Sequence, residues 1–458
     1  MLPYRYMAPR ALVLLVAVIF GLPAAVQAQA ADSEIALLRE QVRLLADKVR
    51  QLEERLTPAP ALAPVAAPAS AAASKPAVVT VNDRTVNLAA GDGLTSLRLR
   101  GLVQADSRWF FDDGGIVGND AFLIRRARII MEGAFGRIFQ FQITPDFAGS
   151  SASLMNANIT AAISPALQLK VGKFKTPVGM EQVQSNTVTT FIERTHTSSL
   201  MPGFDVGVQL GGDLADGRIN YTVGFFNGLA DAASSGTNND TDDHKGFAGR
   251  VLVRPAKGWE IGLGATYSPD LSTATPLSAG YRSDGQQRFF AYDATTVADG
   301  DGWRIAPQTT YARGSLGLMA EYAVSAVNVR SGGVRTELKH DAWLGQVSYV
   351  LTGESAGFNG VIPRTPFRLG EAGWGAWVIA LRASGMDLDD RTFPTFASSR
   401  SNATGVTSYG LGLNWHPTAS VRISADYFQS DFDTTLAPTS ALLREGEQAI
   451  LTRMQLTF

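Results

Sequence analysis

Apolar and polar residues alternate with a period of two over most of the chain from residue 84 onward. Between Trp259 and Tyr267 every second residue is apolar, and the residues between them are Glu, Gly or Thr. Between Val421 and Tyr427 the alternation recurs, with Arg, Ser and Asp on the second face. Successive side chains of a strand point to opposite faces, so this pattern predicts strands with one apolar face and one polar or glycine-rich face.

About sixteen segments of this kind follow one another. We place them at 95–110, 121–135, 137–147, 153–163, 166–176, 206–214, 218–227, 246–254, 259–268, 303–313, 315–326, 338–351, 373–386, 404–416, 420–432 and 447–458. The connections between them alternate between short and long, apart from 353–372, which is long but falls on the short side. Short turns at one end, long loops at the other and an even strand number are typical of outer-membrane barrels.

The predicted fold class is therefore all-β, a transmembrane antiparallel β-barrel of about sixteen strands at 84–458. A soluble sandwich of two packed sheets is the alternative. The length of the alternating region and the Tyr and Trp residues near strand ends favour a band that faces lipid. A barrel of this strand number is wide enough to leave an aqueous channel.

Composition narrows the possible chemistry. The chain has no cysteine and four histidines, which excludes disulfide frameworks and thiolate metal sites and leaves few ligands for other metals, so we expect no cofactor. Charged residues make up 18%, against roughly 25% in soluble globular proteins. The net charge of −2 gives no general attraction to nucleic acid.

The N-terminal residues 1–30 read as an export signal. Arg5 and Arg10 precede ten consecutive apolar residues at 11–20, and small-residue cleavage patterns follow. The run is shorter than the roughly 20 residues that a transmembrane helix needs, so a cleaved signal peptide is the better interpretation, with a buried helix as the alternative.

Residues 31–57 are predicted to form a periplasmic coiled coil, and 58–83 an Ala/Pro-rich linker. Apolar residues recur at alternating spacings of three and four at Ile35, Leu38, Val42, Leu45, Val49, Leu52 and Leu56. This is the seam of a coiled coil, whose residue types lean toward two strands. A single helix against the periplasmic end of the barrel is the alternative. The prolines of the next segment favour an extended spacer.

Arginines recur on the polar faces of the predicted strands. They are Arg98, Arg100, Arg126, Arg128, Arg250 and Arg254. Inside a channel they would form a ladder of guanidinium groups that favours anions, although ordinary solvation of the lumen would also place arginines there. The third long connection, 177–205, is long enough to fold inward and narrow the pore, where cationic side chains set anion selectivity.

Several stretches resemble the phosphate-selective porin family of outer-membrane channels for phosphate and polyphosphate. They are GLVQAD (101–106), IRRARI (124–129), VGKFKTPVGME (171–181), FIER (191–194), YVLTGE (349–354), GAW (375–377), LGLNW (411–415) and MQLTF (454–458). They occur in order from about 95 to 458. The resemblance implies a homotrimer of sixteen-stranded barrels in outer-membrane lipid, with an infolded third loop and a basic path for small anions such as phosphate.

The resemblance also assigns residues to the constriction. Arg125 and Arg126 match its paired arginines, Arg194 matches the arginine of the infolded loop, Ser185 a phosphate-contacting serine and Asp146 an aspartate. At four other positions this chain departs from the family pattern, with Leu102, Gln182, Asn186 and Thr187. Leu102, Gln182 and Thr187 stand where the family has cationic residues, so we expect the channel to prefer anions but to bind them weakly.

Four other interpretations stay open at this point. His196, Ser198 and Ser199 in the predicted loop could suggest a hydrolase site, although no carboxylate orients them at a fixed spacing. The acidic run 238–243 could hold calcium, but it lacks the Gly and Glu of an EF-hand. A purely structural barrel that anchors the envelope through the coiled coil is the third, and a general non-selective porin is the fourth.

Overall fold

The computed structural model describes residues 76–458 and part of the preceding helical segment. Within 76–458 it leaves out 112–117, 235, 237–239, 241–242, 274–275, 278–279 and 435–444. The predicted signal peptide, most of the predicted linker and most of the acidic run 238–243 therefore lie outside the described residues. Within the described residues, no helix is long and apolar enough to span a membrane.

The first of two compact units, Met1–Ala73, is described at six positions, all helical and exposed. They are Glu40, Arg43, Leu44, Asp47, Lys48 and Arg50. Arg50 donates to Asp47 at 3.1 Å, one helical turn away. The seven predicted seam residues lie outside the described set, so the coiled coil stays a prediction.

The second unit, Ser74–Phe458, is built almost entirely of antiparallel strands. Its strands are β1 (Val78–Asn82), β2 (Thr85–Ala89), β3 (Ser96–Phe111), β4 (Ala121–Phe135), β5 (Phe139–Asp146), β6 (Ser153–Ser164), β7 (Leu167–Lys175), β8 (Phe204–Leu214), β9 (Ile219–Phe226), β10 (Gly246–Ala256), β11 (Trp259–Ser268), β12 (Gly280–Arg282), β13 (Arg288–Ala291), β14 (Val297–Arg313), β15 (Leu316–Ser331), β16 (Val334–Val350), β17 (Ala376–Asp387), β18 (Gly405–His416), β19 (Val421–Asp433) and β20 (Gly446–Thr457). Strands β3–β11 and β14–β20 each pair with their neighbours in sequence, and β20 returns to pair with β3. The result is a closed barrel of sixteen strands.

The predicted fold class is confirmed, and each of the sixteen predicted segments corresponds to one barrel strand. The connection on the short-turn side between β16 and β17 is long, as the sequence indicated. Two hairpins were not anticipated: β1–β2 beside β3, and β12–β13 within the long loop after β11. The first corrects the linker boundary, because β1 lies inside 58–83.

Alternation along the strands separates an outer from an inner face. On β4 the side chains of Phe122, Ile124 and Ile129 are exposed outside, whereas Arg126 and the neighbouring Gln104 of β3 are buried inside. Apolar residues facing outward are what a lipid environment stabilises. The polar residues that the sequence placed on the second face therefore face the lumen.

Candidate functional site

The connection between β7 and β8 folds into the barrel and carries two short helical turns, α1 (Met180–Val183) and α2 (His196–Ser199). Two carboxylates of the barrel wall hold it there. Glu321 of β15 accepts hydrogen bonds from the backbone N–H groups of Met180 and Glu181, both at 3.0 Å. Asp426 of β19 accepts one from Ile192 at 2.6 Å. The infolded third loop implied by the family resemblance is present.

Further side chains of the wall donate to carbonyl oxygens of this loop. The pairs are Gln308 with Val178 at 2.9 Å, Arg422 with Thr189 at 2.6 Å, Asn414 with Thr190 at 2.9 Å, Arg453 with Ile192 at 2.9 Å and Gln455 with Thr187 at 3.0 Å. All five donors belong to strands between β14 and β20. Most of the hydrogen bonds between the loop and the wall thus come from that half of the barrel, and open space remains on the side of β3–β10.

A β-bulge turns two consecutive arginines of β4 toward the interior. Arg126 lies opposite Gln104 and Ile124 lies opposite Ala105, so Arg125 opposes no residue of β3. Neighbouring residues of a regular strand would point to opposite faces, and an inserted residue re-aims the side chain. Both guanidinium groups therefore reach lumen-side partners.

Arg125 is neutralised by a buried glutamate of the loop. Its Nε and Nη2 donate to the two carboxylate oxygens of Glu193 at 2.6 and 3.0 Å, and Arg108 adds a bond at 3.2 Å. Behind Glu193, Arg453 holds Asp106 through two bonds of 2.7 Å. Burial opposes ionisation of Glu193, but the charge and hydrogen bonds of Arg125 outweigh it and hold its pKa well below the usual range.

Arg126 and Arg194 also act as internal clamps. Arg126 donates to the side chain of Gln104 at 2.7 Å, and Gln104 in turn donates to the carbonyl oxygen of Asn186 at 3.0 Å. Arg194 donates to the carbonyl oxygens of Glu181 at 2.9 Å and Gln184 at 2.7 Å. Burial lowers the pKa of Arg194 to about 10, so it remains charged at neutral pH.

Asp146 and Ser185 occupy different environments. Asp146 accepts a bond of 2.7 Å from Nε of Arg128 and two from backbone N–H groups. Ser185 is exposed at the tip of the loop, with Thr187 at 2.9 Å from its hydroxyl. Asp146 thus balances one lumen arginine, and Ser185 is free to contact a solute.

Between the loop tip and the strands β3–β10 lies a cavity of about 330 Å³, here called the eyelet. Its cationic lining residues are Arg100, Arg128, Lys170, Lys175 and Arg250. Ser185, Asn186 and Thr187 of the loop form the opposite side. No carboxylate is among the described residues that line it.

The five cations differ in how far they are balanced. Arg100 donates to Glu132, and Arg128 to Asp146 at 2.7 Å. Lys175 donates to two carbonyl oxygens of the loop, at 2.7 and 2.9 Å. In the described part of the chain, Lys170 and Arg250 have no carboxylate within 4 Å.

A second cavity, of about 420 Å³, lies toward the short-turn end of the same wall. Arg98 and Glu132 line it, and Gln142 and Lys170 line both cavities. The two spaces therefore adjoin at Lys170. Residues of β3–β7 line both of them.

The predicted site residues occupy four places. Arg100, Arg128, Arg250 and Ser185 line the eyelet, and Arg98 lines the second cavity. Arg125, Arg126, Arg194 and Asp146 lie in the surrounding clamps, and their role in the constriction stays a prediction. Arg254 is paired with Glu260 at 2.7 Å near a short turn.

Two lysines of the eyelet were missed by sequence reasoning. Lys170 and Lys175 belong to β7, whose residues 171–181 entered only as part of the family resemblance. Parity along β7 would have placed Lys170 on the face of Gly172 and Phe174, toward the lumen. That signal was available in the sequence for Lys170, whereas the same parity would place Lys175 on the outer face.

The hydrolase interpretation finds no support in the geometry. His196 lies 3.4 Å from the hydroxyl of Ser408, while Ser198 donates to Glu181 at 2.9 Å. The two residues therefore bond to different partners. Within the described residues no group of three His, Asp or Glu side chains could hold a metal ion.

Known proteins resemble this chain in sequence and in structure. The family model described as phosphate-selective porin O and P matches residues 97–458. Porin O of Pseudomonas aeruginosa is 25% identical over 390 residues, which cover 76% of this chain and 86% of that protein. Among solved structures, the outer membrane channel DcaP of Acinetobacter baumannii superposes with a TM-score of 0.53 at 13% identity, covering 80% of this chain and 97% of that one. An anion-selective porin from Comamonas acidovorans gives 0.50 at 12% identity, covering 80% and 100%.

Proposed function

The chain belongs to the family of phosphate-selective porins O and P and is an outer-membrane porin, and on that premise we propose that it conducts small anions through the eyelet. The members of this family are channels. The eyelet is the part of the proposed path that these cations line.

One observation carries the proposal: five cationic side chains and no carboxylate line the eyelet in the described structure. Charges that are partly removed from water act more strongly on a passing ion than charges in bulk solvent. Rings of Arg and Lys at a constriction select anions for this reason. Lys170 and Arg250 contribute most, because no carboxylate within 4 Å offsets them.

Phosphate is a solute that this lining can accommodate. Arginine offers planar forked donors to an oxyanion, and Ser185 adds a hydroxyl at the loop tip. The family description names phosphate selectivity and so supports phosphate as cargo. Because Leu102, Gln182 and Thr187 supply no charge, we expect weak binding and fast release.

The reversal potential of the purified protein in a planar bilayer under a potassium chloride gradient tests this proposal. We expect chloride to be preferred over potassium in the wild type. Lys170→Gln and Arg250→Gln should each move the reversal potential toward that of a non-selective pore. Arg254→Gln is the matched control, because its charge is offset by Glu260 and Asp213 outside the eyelet.

The possible results separate the alternatives. A cation-selective or non-selective wild type would contradict the proposal, the latter in favour of a general porin. A barrel with no measurable conductance would instead favour a structural envelope anchor.

We further propose that the assembled form is a homotrimer with residues 31–57 as a periplasmic coiled coil. The family resemblance supports the trimer, and the heptad spacing together with the helical residues between Glu40 and Arg50 supports the coil. Residues 1–30 would be removed on export, and the Ala/Pro-rich segment would tether the coil to the barrel.

A further inference from the structure

We propose that the eyelet selects amphipathic organic anions, in which a carboxylate is joined to a small apolar body, over inorganic anions such as phosphate. This inference rests on the proposed function, because it names the solute class for the same cavity. It arises from the side chains that share the eyelet with the cations.

Apolar side chains form a large part of the eyelet lining. Leu102 of β3, Ile130 of β4, Phe174 of β7 and Phe204 of β8 all contribute, and Val183 of the loop adds a fifth. The first four are each less than a tenth exposed. Leu102 and Ile130 lie on the inner faces of their strands, where a water-filled path would favour polar residues.

Cationic and apolar residues alternate directly across the pair β3–β4. Leu102 lies opposite Arg128, and Arg100 lies opposite Ile130. Side chains opposite each other in an antiparallel pair have Cβ atoms roughly 5 Å apart. Each of these arginines therefore has an aliphatic side chain beside it. A solute can place its charged group against the arginine and its apolar group against the neighbouring aliphatic side chain.

The two lysines show the same arrangement with aromatic rings. The ammonium of Lys170 lies 5.3 Å from the centre of the Phe174 ring. The ammonium of Lys175 lies 5.7 Å from the centre of the Phe204 ring, and these two residues are paired in the register of β7 and β8. A carboxylate that reaches either lysine brings its own apolar body against a phenyl face.

The lining also holds buried polar atoms that bond to nothing in the described part of the protein. They are Nε of Arg100, Nε of Arg250 and Oγ1 of Thr144. All three can donate a hydrogen bond to an oxyanion. Buried donors of this kind are costly unless a water molecule or a solute satisfies them.

Apolar contact is what separates the two classes of anion. Inorganic phosphate carries no apolar surface. The leucine, isoleucine and phenylalanine side chains therefore cannot replace the hydrogen bonds that phosphate makes with its hydration water. An organic anion that buries about 55 Å² of apolar surface at roughly 25 cal/mol per Å² gains about tenfold in binding. The cavity of about 330 Å³ falls at the lower end of the roughly 300–1,000 Å³ range of small-molecule pockets.

Block of the chloride current by added anions tests the inference in single channels of the full-length protein. Benzoate is the amphipathic probe, acetate has the same charged group with almost no apolar body, and inorganic phosphate is the inorganic probe. We expect benzoate to reach half block at a concentration about tenfold lower than acetate or phosphate, as the area argument gives.

Two substitutions separate eyelet contact from general effects of benzoate. Leu102→Asn should bring the benzoate and acetate values toward each other. Leu123→Asn is the matched control on β4: it lies opposite the lumen-facing Asp106, does not line the eyelet, and should leave the ratio unchanged. If Leu102→Asn does not assemble, the wild-type comparison of benzoate with acetate and phosphate decides alone.

The outcomes distinguish failure of this inference from failure of the proposed function on which it rests. An anion-selective channel that phosphate or acetate blocks at least as well as benzoate would overturn the inference and leave the proposed function standing. A cation-selective wild type would overturn the proposed function first. Equal effects of the two Leu→Asn substitutions on the ratio would also contradict the inference.

Discussion

At the scale of single residues, carboxylates decide which lumen cations remain available to a passing anion. Glu193 takes up the charge of Arg125, Asp106 that of Arg453, and Asp146 that of Arg128. The sequence shows the arginines but not these partners, because bonded residues lie tens or hundreds of positions apart. Whether a lumen cation can interact with a passing anion therefore depends on its partners in the folded structure and cannot be predicted from residue type.

Glu193→Gln tests the clamp between the loop and β4. The substitution keeps the side-chain shape but leaves Arg125 and Arg108 without their counter-charge. Removing one partner of a buried ion pair typically costs about 3–5 kcal/mol, so the free energy of unfolding in urea should fall by that order. Glu260→Gln is the control, since its partner Arg254 is more than a third exposed and such pairs contribute about 0–1 kcal/mol.

The difference in unfolding free energy between the wild type and Glu193→Gln should depend on pH. The lowered pKa of Glu193 means that its stabilisation is fully present above the ordinary glutamate pKa and is lost as pH falls through the lowered value. The difference in unfolding free energy between wild type and Glu193→Gln should stay constant from pH 7 to about pH 5 and shrink below about pH 4. A difference that grows on acidification would contradict this account.

At the scale of elements, the strands follow from local pattern and the loop does not. Alternation predicted all sixteen barrel strands, because successive side chains of a strand point to opposite faces, and this pattern does not depend on residues that are distant in the sequence. The bulge at Arg125 was not predicted, although Ile124, Ala127 and Ile129 can share the outer face only if one residue between Ile124 and Ala127 is extra. The docking of the third loop has no such local signal, because among the described residues its hydrogen-bond partners come from nine strands besides β7 and β8.

One glycine of the wall tests the docking of that loop. A Cβ atom at Gly264 of β11 would lie 2.3 Å from the carbonyl oxygen of Val178. Gly264→Ala should push the first part of the loop away from β11 toward the open space, and with it Pro177, which also lines the eyelet. We expect single-channel conductance to fall, whereas Gly345→Ala, where the nearest atom lies at 4.0 Å, should leave it unchanged. Equal conductance in both variants would show that the loop is not seated tightly at β11.

At the scale of the whole molecule, the two sides of the barrel interior differ. Most of the loop's hydrogen bonds to the wall lie on the side of β14–β20, while the cations of the eyelet line the side of β3–β10. The resemblance implied a basic path, but which wall carries it depends on where the loop is fastened. That is a property of the closed barrel and has no local signal in the sequence.

Deletion of residues 31–57 tests the proposed assembly. If these residues form a coiled coil that reinforces a trimer of barrels, the shortened protein should still assemble as trimers, which dissociate at a lower temperature than the full-length protein. Native mass spectrometry of both forms over a temperature series measures this. Monomers of the full-length protein would contradict the proposed trimer.

The location of the path can be tested directly because the chain contains no cysteine. Lys170→Cys would place a single thiol in the eyelet, and Ser384→Cys would place one on the inner face of β17, where Ser384 is fully buried. The measurement is the single-channel current before and after addition of a negatively charged methanethiosulfonate reagent. The account predicts rapid modification at position 170, with reduced current and reduced anion preference, and no change at position 384. Modification at position 384 with none at position 170 would place the path in the other half of the barrel and contradict it.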